Sequence, residues 1–111
     1  MCKFGDIYIA EKNLIGNLYR IKQTVLVVSD YRESKVSSFV TVVPIIDAAE
    51  QNKLLSYVFI GNYGMAEENI AVVEQITTLN KIQLLVKVGG IQGTVYAGQI
   101  KNALRKHLNL W

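Results

Sequence analysis

This 111-residue chain has a single cysteine, Cys2, so it can form no intrachain disulfide and gains nothing from an oxidising compartment. It also has a single histidine, His107, and one Cys with one His falls short of the four ligands a structural zinc site needs. His107 reads instead as a helix-end residue, and no metal or cofactor is expected. A nucleophilic triad lacks parts as well, because the lone histidine has no serine motif beside it and Cys2 is expected at a mobile terminus. Charge is sparse: 19% of residues are Asp, Glu, Lys or Arg, against roughly a quarter in ordinary globular domains. No apolar run approaches the roughly 20 residues that cross a bilayer. The opening Met1-Cys2-Lys3-Phe4-Gly5-Asp6 has no apolar signal region, so a cytoplasmic protein without membrane contact is expected.

Half of the residues are hydrophobic, rich in Val and Ile, which favours strands over disorder. The length suits one domain over residues 1–111. The net charge of +3 permits nucleic-acid binding without demanding it.

The hydrophobic pattern predicts short strands at Ile7–Ile9, Tyr19–Ser29, Ser38–Ile46, Leu55–Ile60, Ile70–Thr77 and Ile82–Val88. Glu11–Asn17 reads as a polar loop, Asp30–Lys35 as a charged turn and Ala66–Asn69 as a helical turn. Val25-Leu26-Val27-Val28 is apolar on both faces, as in a central, covered strand. Pro44 cannot donate to a ladder, so it marks an edge, a bulge or a strand end. Tyr96, Ile100, Ala103, Leu104 and Leu108 recur at helical spacing after Thr94, a candidate N-cap. The predicted class is mainly β (α+β): a small, partly open barrel closed by a C-terminal amphipathic helix.

Three features carry possible chemistry. Arg20 and Lys22 alternate along the second strand, Arg32 and Lys35 follow it, and Tyr8, Tyr19 and Tyr31 are near enough in sequence to stack on bases. Glu74 interrupts the apolar segment Ala71–Ile76, where a charge must face water, find a partner or serve a site. Gly89-Gly90-Ile91-Gln92-Gly93 precedes the helix but lacks the Lys-Ser/Thr ending of a phosphate loop and reads as a plain strand-to-helix turn.

Gly5-Asp6-Ile7-Tyr8-Ile9, Thr24-Val25-Leu26-Val27-Val28 and Val40-Thr41-Val42-Val43-Pro44-Ile45 fall in the order seen in the MazF/PemK toxin family. Val73-Glu74-Gln75-Ile76-Thr77-Thr78-Leu79-Asn80-Lys81 resembles that family's acidic-Gln-x-Arg-Thr-Ile-Asp-Lys signature. The resemblance implies an SH3-like barrel, a homodimer and metal-independent cleavage of single-stranded RNA, neutralised by an antitoxin protein. Under it Glu74 matches an acidic catalytic position, with Arg20 or Lys22 as phosphate-stabilising cations and Asp47 as a second acid–base group. Tyr19, Gln23, Arg32, Lys35 and Thr77 would contact RNA.

The match is incomplete at three places. Gln23-Thr24 stands where the family has Arg-Pro, Ile46-Asp47 where it has a hydroxyl pair, and Thr77 where it has an arginine. Glutamine offers neither the charge nor the fork of a guanidinium. The alternative is therefore a catalytically inactive relative that binds RNA, an antitoxin-like peptide or a protein target through the same groove. A third reading follows gyrase-poisoning toxins of related fold and rests on the aromatic tail Leu108-Asn109-Leu110-Trp111.

Overall fold

Val25, Leu26 and Val27 have no exposed surface at all, and the strand that carries them is the centre of the molecule. The computed structural model describes residues 2–14, 19–47, 57–61 and 69–110. Within them the chain forms β1 (Asp6–Leu14), β2 (Tyr19–Val27), the short helix α1 (Tyr31–Val36), β3 (Phe39–Asp47), β4 (Tyr57–Gly61), β5 (Asn69–Val72), β6 (Thr77–Asn80), β7 (Leu84–Gly90) and α2 (Val95–His107). The seven strands form one curled antiparallel sheet in the order β4-β5-β3-β2-β1-β7, with β6 also paired to β3. The predicted barrel-like β fold with one amphipathic C-terminal helix is what the chain adopts.

The alternation of β2 and β3 sorts two cores onto the two faces of this sheet. Val25, Val27, Val40 and Val42 point inward with Cys2, Ala10 and Leu79. Leu26, Val43 and Ile45 point the other way and pack with Ile7, Val73, Ile91 and Ile100 under α2. The period-2 pattern of strands makes this division unavoidable once β2 lies in the middle. Cys2, expected at a mobile terminus, is instead packed in the inner core.

Several local expectations are corrected. Glu11–Leu14 is not loop but the second half of β1, paired residue by residue with Tyr19–Lys22; backbone pairing in the ribbon outweighs the polar side chains. Asp30–Lys35 contains a helix rather than a turn, because the Asp30 carboxylate accepts from the Arg32 amide at 2.7 Å and caps it. Asn69 starts β5 and is not helical; the rest of the predicted turn at Ala66–Asn69 lies outside the described residues. Ile82 lies in a 3-10 turn, Lys81–Gln83, that precedes β7. Asn80 and Gln83 form a reciprocal capping box around this turn, and Gln83 Nε2 reaches the Glu11 carbonyl at 3.0 Å, fastening it to β1. Thr94 holds the N-cap position of α2 but its hydroxyl donates to the Ile91 carbonyl at 2.6 Å, leaving no side-chain cap.

The predicted strand Ile70–Thr77 is broken in two. β5 and β6 run along the same outer edge of β3, separated by a 3-10 turn at Val73–Gln75. Between the pairs Ile45–Ala71 and Val42–Thr77, two residues of β3 face five of the outer chain, so the latter must bulge. Pro44 supplies the reason. The Thr41 carbonyl accepts from Val28 and its N–H donates to Ser29, so both point towards the β2 side. Alternation then turns the Pro44 nitrogen to the outer edge, which has no donor there. Pro44 is thus a local edge inside a strand, where the neighbouring strand detaches.

Candidate active site

The stretch of β3 from Val42 to Asp47 borders five of the nine residues singled out from the sequence, but strand alternation divides them: Lys22 and Asp47 share the face of Leu26 and Ile45, whereas Gln23, and Thr77 opposite Val42, share the face of Val25 and Val42. On its inner flank lies β2. Gln23 Nε2 donates to the Ile45 carbonyl at 2.9 Å and to its neighbour's Thr24 carbonyl at 3.3 Å. Counting on from the Val25–Pro44 pair, Lys22 falls level with Asp47. Lys22 is exposed and stands opposite Glu11 of β1. Asp47 ends β3, half-buried and opposite Asn69.

On the outer flank lies the bulge. Glu74 sits on the 3-10 turn opposite Val43–Pro44 and is exposed, while Val73 beside it is sunk in the helix-side core. The turn therefore anchors one side chain and presents the next to solvent. The expectation that Glu74 lies within a strand is corrected, and its exposure follows from the bulge rather than from strand alternation. Thr77 begins β6, pairs with Val42 and is half-buried.

Tyr19 and Arg20 begin β2, opposite Leu14 and Asn13; their side chains lie outside the described residues. Arg32 and Lys35 are elsewhere. Both are exposed on α1, beyond the other end of β2, and so do not join the group around Val42–Asp47. The Arg32 guanidinium forks onto Asp30 at 3.2 and 3.3 Å, and that hydrogen-bonded carboxylate raises its pKa further above its ordinary value. Among the described residues no three His, Cys, Asp or Glu side chains converge as metal ligands would. His107 is exposed in the last turn of α2, and Trp111 lies outside the described residues.

Chemically, this stretch offers a carboxylate on a raised turn, a second carboxylate at the strand end and a lysine level with it. The amide of Gln23 is already committed to backbone carbonyls. A second concave surface, between the amino-terminal segment and α2, went unnoticed in the sequence; the spacing of Lys101 and Arg105 along the helix was its available signal.

Comparison with known proteins adds the family. The family model described as PemK-like, MazF-like toxin of type II toxin–antitoxin system matches residues 3–108. No curated protein matches the chain by sequence. The fold is similar to the solved Mycobacterium tuberculosis toxin MazF-mt6, at 17% identity and a TM-score of 0.77 over 96% of this chain and 98% of that one. It is similar to an endoribonuclease in complex with its cognate antitoxin from a mycobacterial species, at 19% identity and a TM-score of 0.81 over 100% and 98% of the two chains. MazF in a MazE–MazF complex from Deinococcus radiodurans aligns at 11% identity and a TM-score of 0.72, covering 98% of this chain and 95% of that one.

Proposed function

We infer what this chain does from one premise: it belongs to the PemK-like, MazF-like toxin family of type II toxin–antitoxin systems. Our reading is a toxin acting as a metal-independent endoribonuclease on single-stranded RNA in the cytoplasm, working as a homodimer and held in check by an antitoxin protein. The supporting relatives include an endoribonuclease solved with its cognate antitoxin.

The observation that carries the reading is the shared border of β3. Gln23 binds the Ile45 backbone from one side, while the bulge opposite Pro44 holds Glu74 out from the other. An RNA strand laid across Val42–Asp47 meets Glu74, Lys22 and Asp47. Glu74 takes the proton of a ribose 2′-OH, which attacks the adjacent phosphorus. Lys22, with Arg20 from the same strand, offsets the negative charge growing on the phosphate oxygens. The bond from phosphorus to the 5′-oxygen then breaks, and that oxygen takes the proton from Glu74 by way of Asp47, the second acid–base group, leaving a 2′,3′-cyclic phosphate. Gln23 and Thr77, on the opposite face of the sheet, support the site from behind rather than touching the RNA.

The test is incubation of the purified protein with mixed single-stranded RNA in excess chelator. Cleavage is expected, falling about 10²–10³-fold in Glu74→Gln and by a similar factor in Lys22→Ala. Cleavage at the parent's rate in both variants overturns these roles.

A second reading is favoured by one specific contact. Gln23 stands where the family has an arginine, and its amide is spent on the Ile45 and Thr24 carbonyls rather than offered to a phosphate. Under that reading the chain binds RNA, an antitoxin-like peptide or a protein target without cutting. Tight RNA binding with no cleavage at any enzyme concentration decides for it.

A further inference from the structure

We propose that Asn69 is a positioning residue of the candidate active site: its side-chain amide donates to the Asp47 carboxylate and holds it ionised for the proton relay. The inference deepens the ribonuclease reading and, for its part in a reaction, rests on it. Asp47 and Asn69 are directly opposite each other in the β3–β5 pairing, so they share a face, with β-carbons about 4.5–5.5 Å apart. An amide and a carboxylate meet across that spacing without any shift of backbone. Asn69 is only 6% exposed, and a buried amide needs partners for its polar atoms. One partner is the Gly61 carbonyl, which accepts from Nδ2 at 3.2 Å. The contact lies at a bulge of β4 between Phe59 and Gly61, where Gly61 takes a φ of 73° that other residues rarely adopt. The amide is thus clamped from the β4 side, and Nδ2 carries a second N–H for the β3 side, where Asp47 stands.

The same row runs on to β1. Glu11 is opposite Lys22, Lys22 is level with Asp47, and Asp47 is opposite Asn69, so four polar residues from four strands lie side by side on one face. The cation beside Asp47 is therefore Lys22, with Arg20 two residues back along β2. The carboxylates around it are Glu74 on the Val73–Gln75 turn and Glu11 one strand beyond Lys22. Neither β5 nor β6 carries a titratable side chain. An ammonium and an amide N–H both favour the charged form of a carboxylate, whereas neighbouring carboxylates oppose it. A relay needs the charged form at rest, because Asp47 must accept the proton from Glu74 before passing it to the 5′-oxygen. Asn69 itself is too deeply buried to touch RNA, so it acts through Asp47.

Nuclear magnetic resonance of the full chain tests this without requiring activity. The chain has three aspartates, so labelling the aspartate Cγ gives three signals, and Asp47→Asn identifies the one of interest. In the parent, the Asn69 side-chain N–H signals are expected to follow pH with the same midpoint as the Asp47 carbon, and to stop doing so in Asp47→Asn. Asn69→Ala is expected to raise the Asp47 midpoint by about half a unit or more, with the Asp6 and Asp30 signals unmoved as a check on the fold. The parent measurement decides even where Asn69→Ala is too unstable to titrate. If Asn69 served only to hold β5 to β4, its loss would lower stability and leave the Asp47 midpoint in place. An unchanged midpoint, or an Asn69 N–H indifferent to the ionisation of Asp47, overturns the proposal. RNA cleavage separates the two readings. Where the parent cuts RNA, Asn69→Ala is expected to lower kcat about 10-fold with KM unchanged. A parent with linked titrations that cuts no RNA removes the ribonuclease reading and leaves the Asn69–Asp47 pair standing. A parent that cuts RNA with unlinked titrations removes the pair alone.

Discussion

Asp6 is a carboxylate at 1% exposure, and such a group is tolerated only when its oxygens are met. The Lys3 amide donates to one oxygen at 2.9 Å; the Gln92 amide at 2.7 Å and the Lys87 ammonium at 3.2 Å meet the other. Two residues on, Tyr8 feels this enclosure. Burial pushes its phenol above the ordinary value, and the neighbouring Cys2 and Asp6 charges push it further the same way. Folding therefore favours the neutral phenol. Below an ordinary phenol pKa of about 10 both states carry the proton and nothing is lost. As pH climbs past that value the unfolded chain ionises first, and stability falls until the folded phenol ionises too. Urea midpoints measured at about pH 9 and about pH 11 should therefore drop more in the parent than in Tyr8→Phe. Equal drops in the two proteins would mean that Tyr8 is as free to ionise folded as unfolded.

Elements here are fastened to one another by single polar side chains, and Gln92 is the clearest case. From the turn between β7 and α2 it binds the Phe4 carbonyl at 3.0 Å as well as Asp6, joining the amino terminus to the helix. Gly90 and Gly5 leave it room: a Cβ on Gly90 would meet Gln92 Oε1, and one on Gly5 would lie 3.2 Å from its side-chain carbons. Gly90→Ala should swing Gln92 aside and cost about 1–3 kcal/mol, the usual cost of stranding a buried polar partner. In a Gln92→Ala background the same change should be nearly neutral, and a double-mutant cycle by urea unfolding checks it. Additive costs would show that Gly90 is needed for another reason. The elements that the sequence made legible are those whose pattern is local: the buried core of β2, the amphipathic α2 and the apolar run of β3. What it hid depends on partners far along the chain. Glu11–Leu14 is a strand only because Tyr19–Lys22 lies beside it, and the Val73–Gln75 turn exists because Pro44, about 30 residues earlier, withholds a donor. The Asn80-x-x-Gln83 capping box, by contrast, is a local signal that the sequence carries. For the candidate site, residue types were legible at Glu74, Lys22 and Asp47. Their assembly was not, since it needs the register of β3 against both neighbours; for the same reason Arg32 and Lys35, close to β2 in sequence, fall at its wrong end.

At the scale of the molecule, one sheet separates two apolar cores, yet β1, β2 and β3 contribute to both. Residues such as Val25 and Leu26 are adjacent in the chain and buried on opposite faces. Neither core can dissolve without exposing the backbone that supports the other, so the described fold should open as one cooperative unit. Cys2 makes this measurable. Its thiol is buried in the inner core, and the amino-terminal segment is tied down where the Gly5 amide donates to the Val27 carbonyl at 2.9 Å. Ile100 lies on the far side of the sheet, fully buried under α2. Ile100→Ala should cost about 2–5 kcal/mol by leaving a cavity there. If opening is global, slow labelling of Cys2 by a thiol reagent should accelerate by the matching factor, about 30-fold to several-thousand-fold, although the substitution touches nothing near the thiol. Val40→Ala, in the core that holds Cys2, should obey the same relation between lost stability and labelling rate. A Cys2 rate that follows Val40→Ala but ignores Ile100→Ala would mean that the helix-covered face melts by itself and that the barrel stands without it.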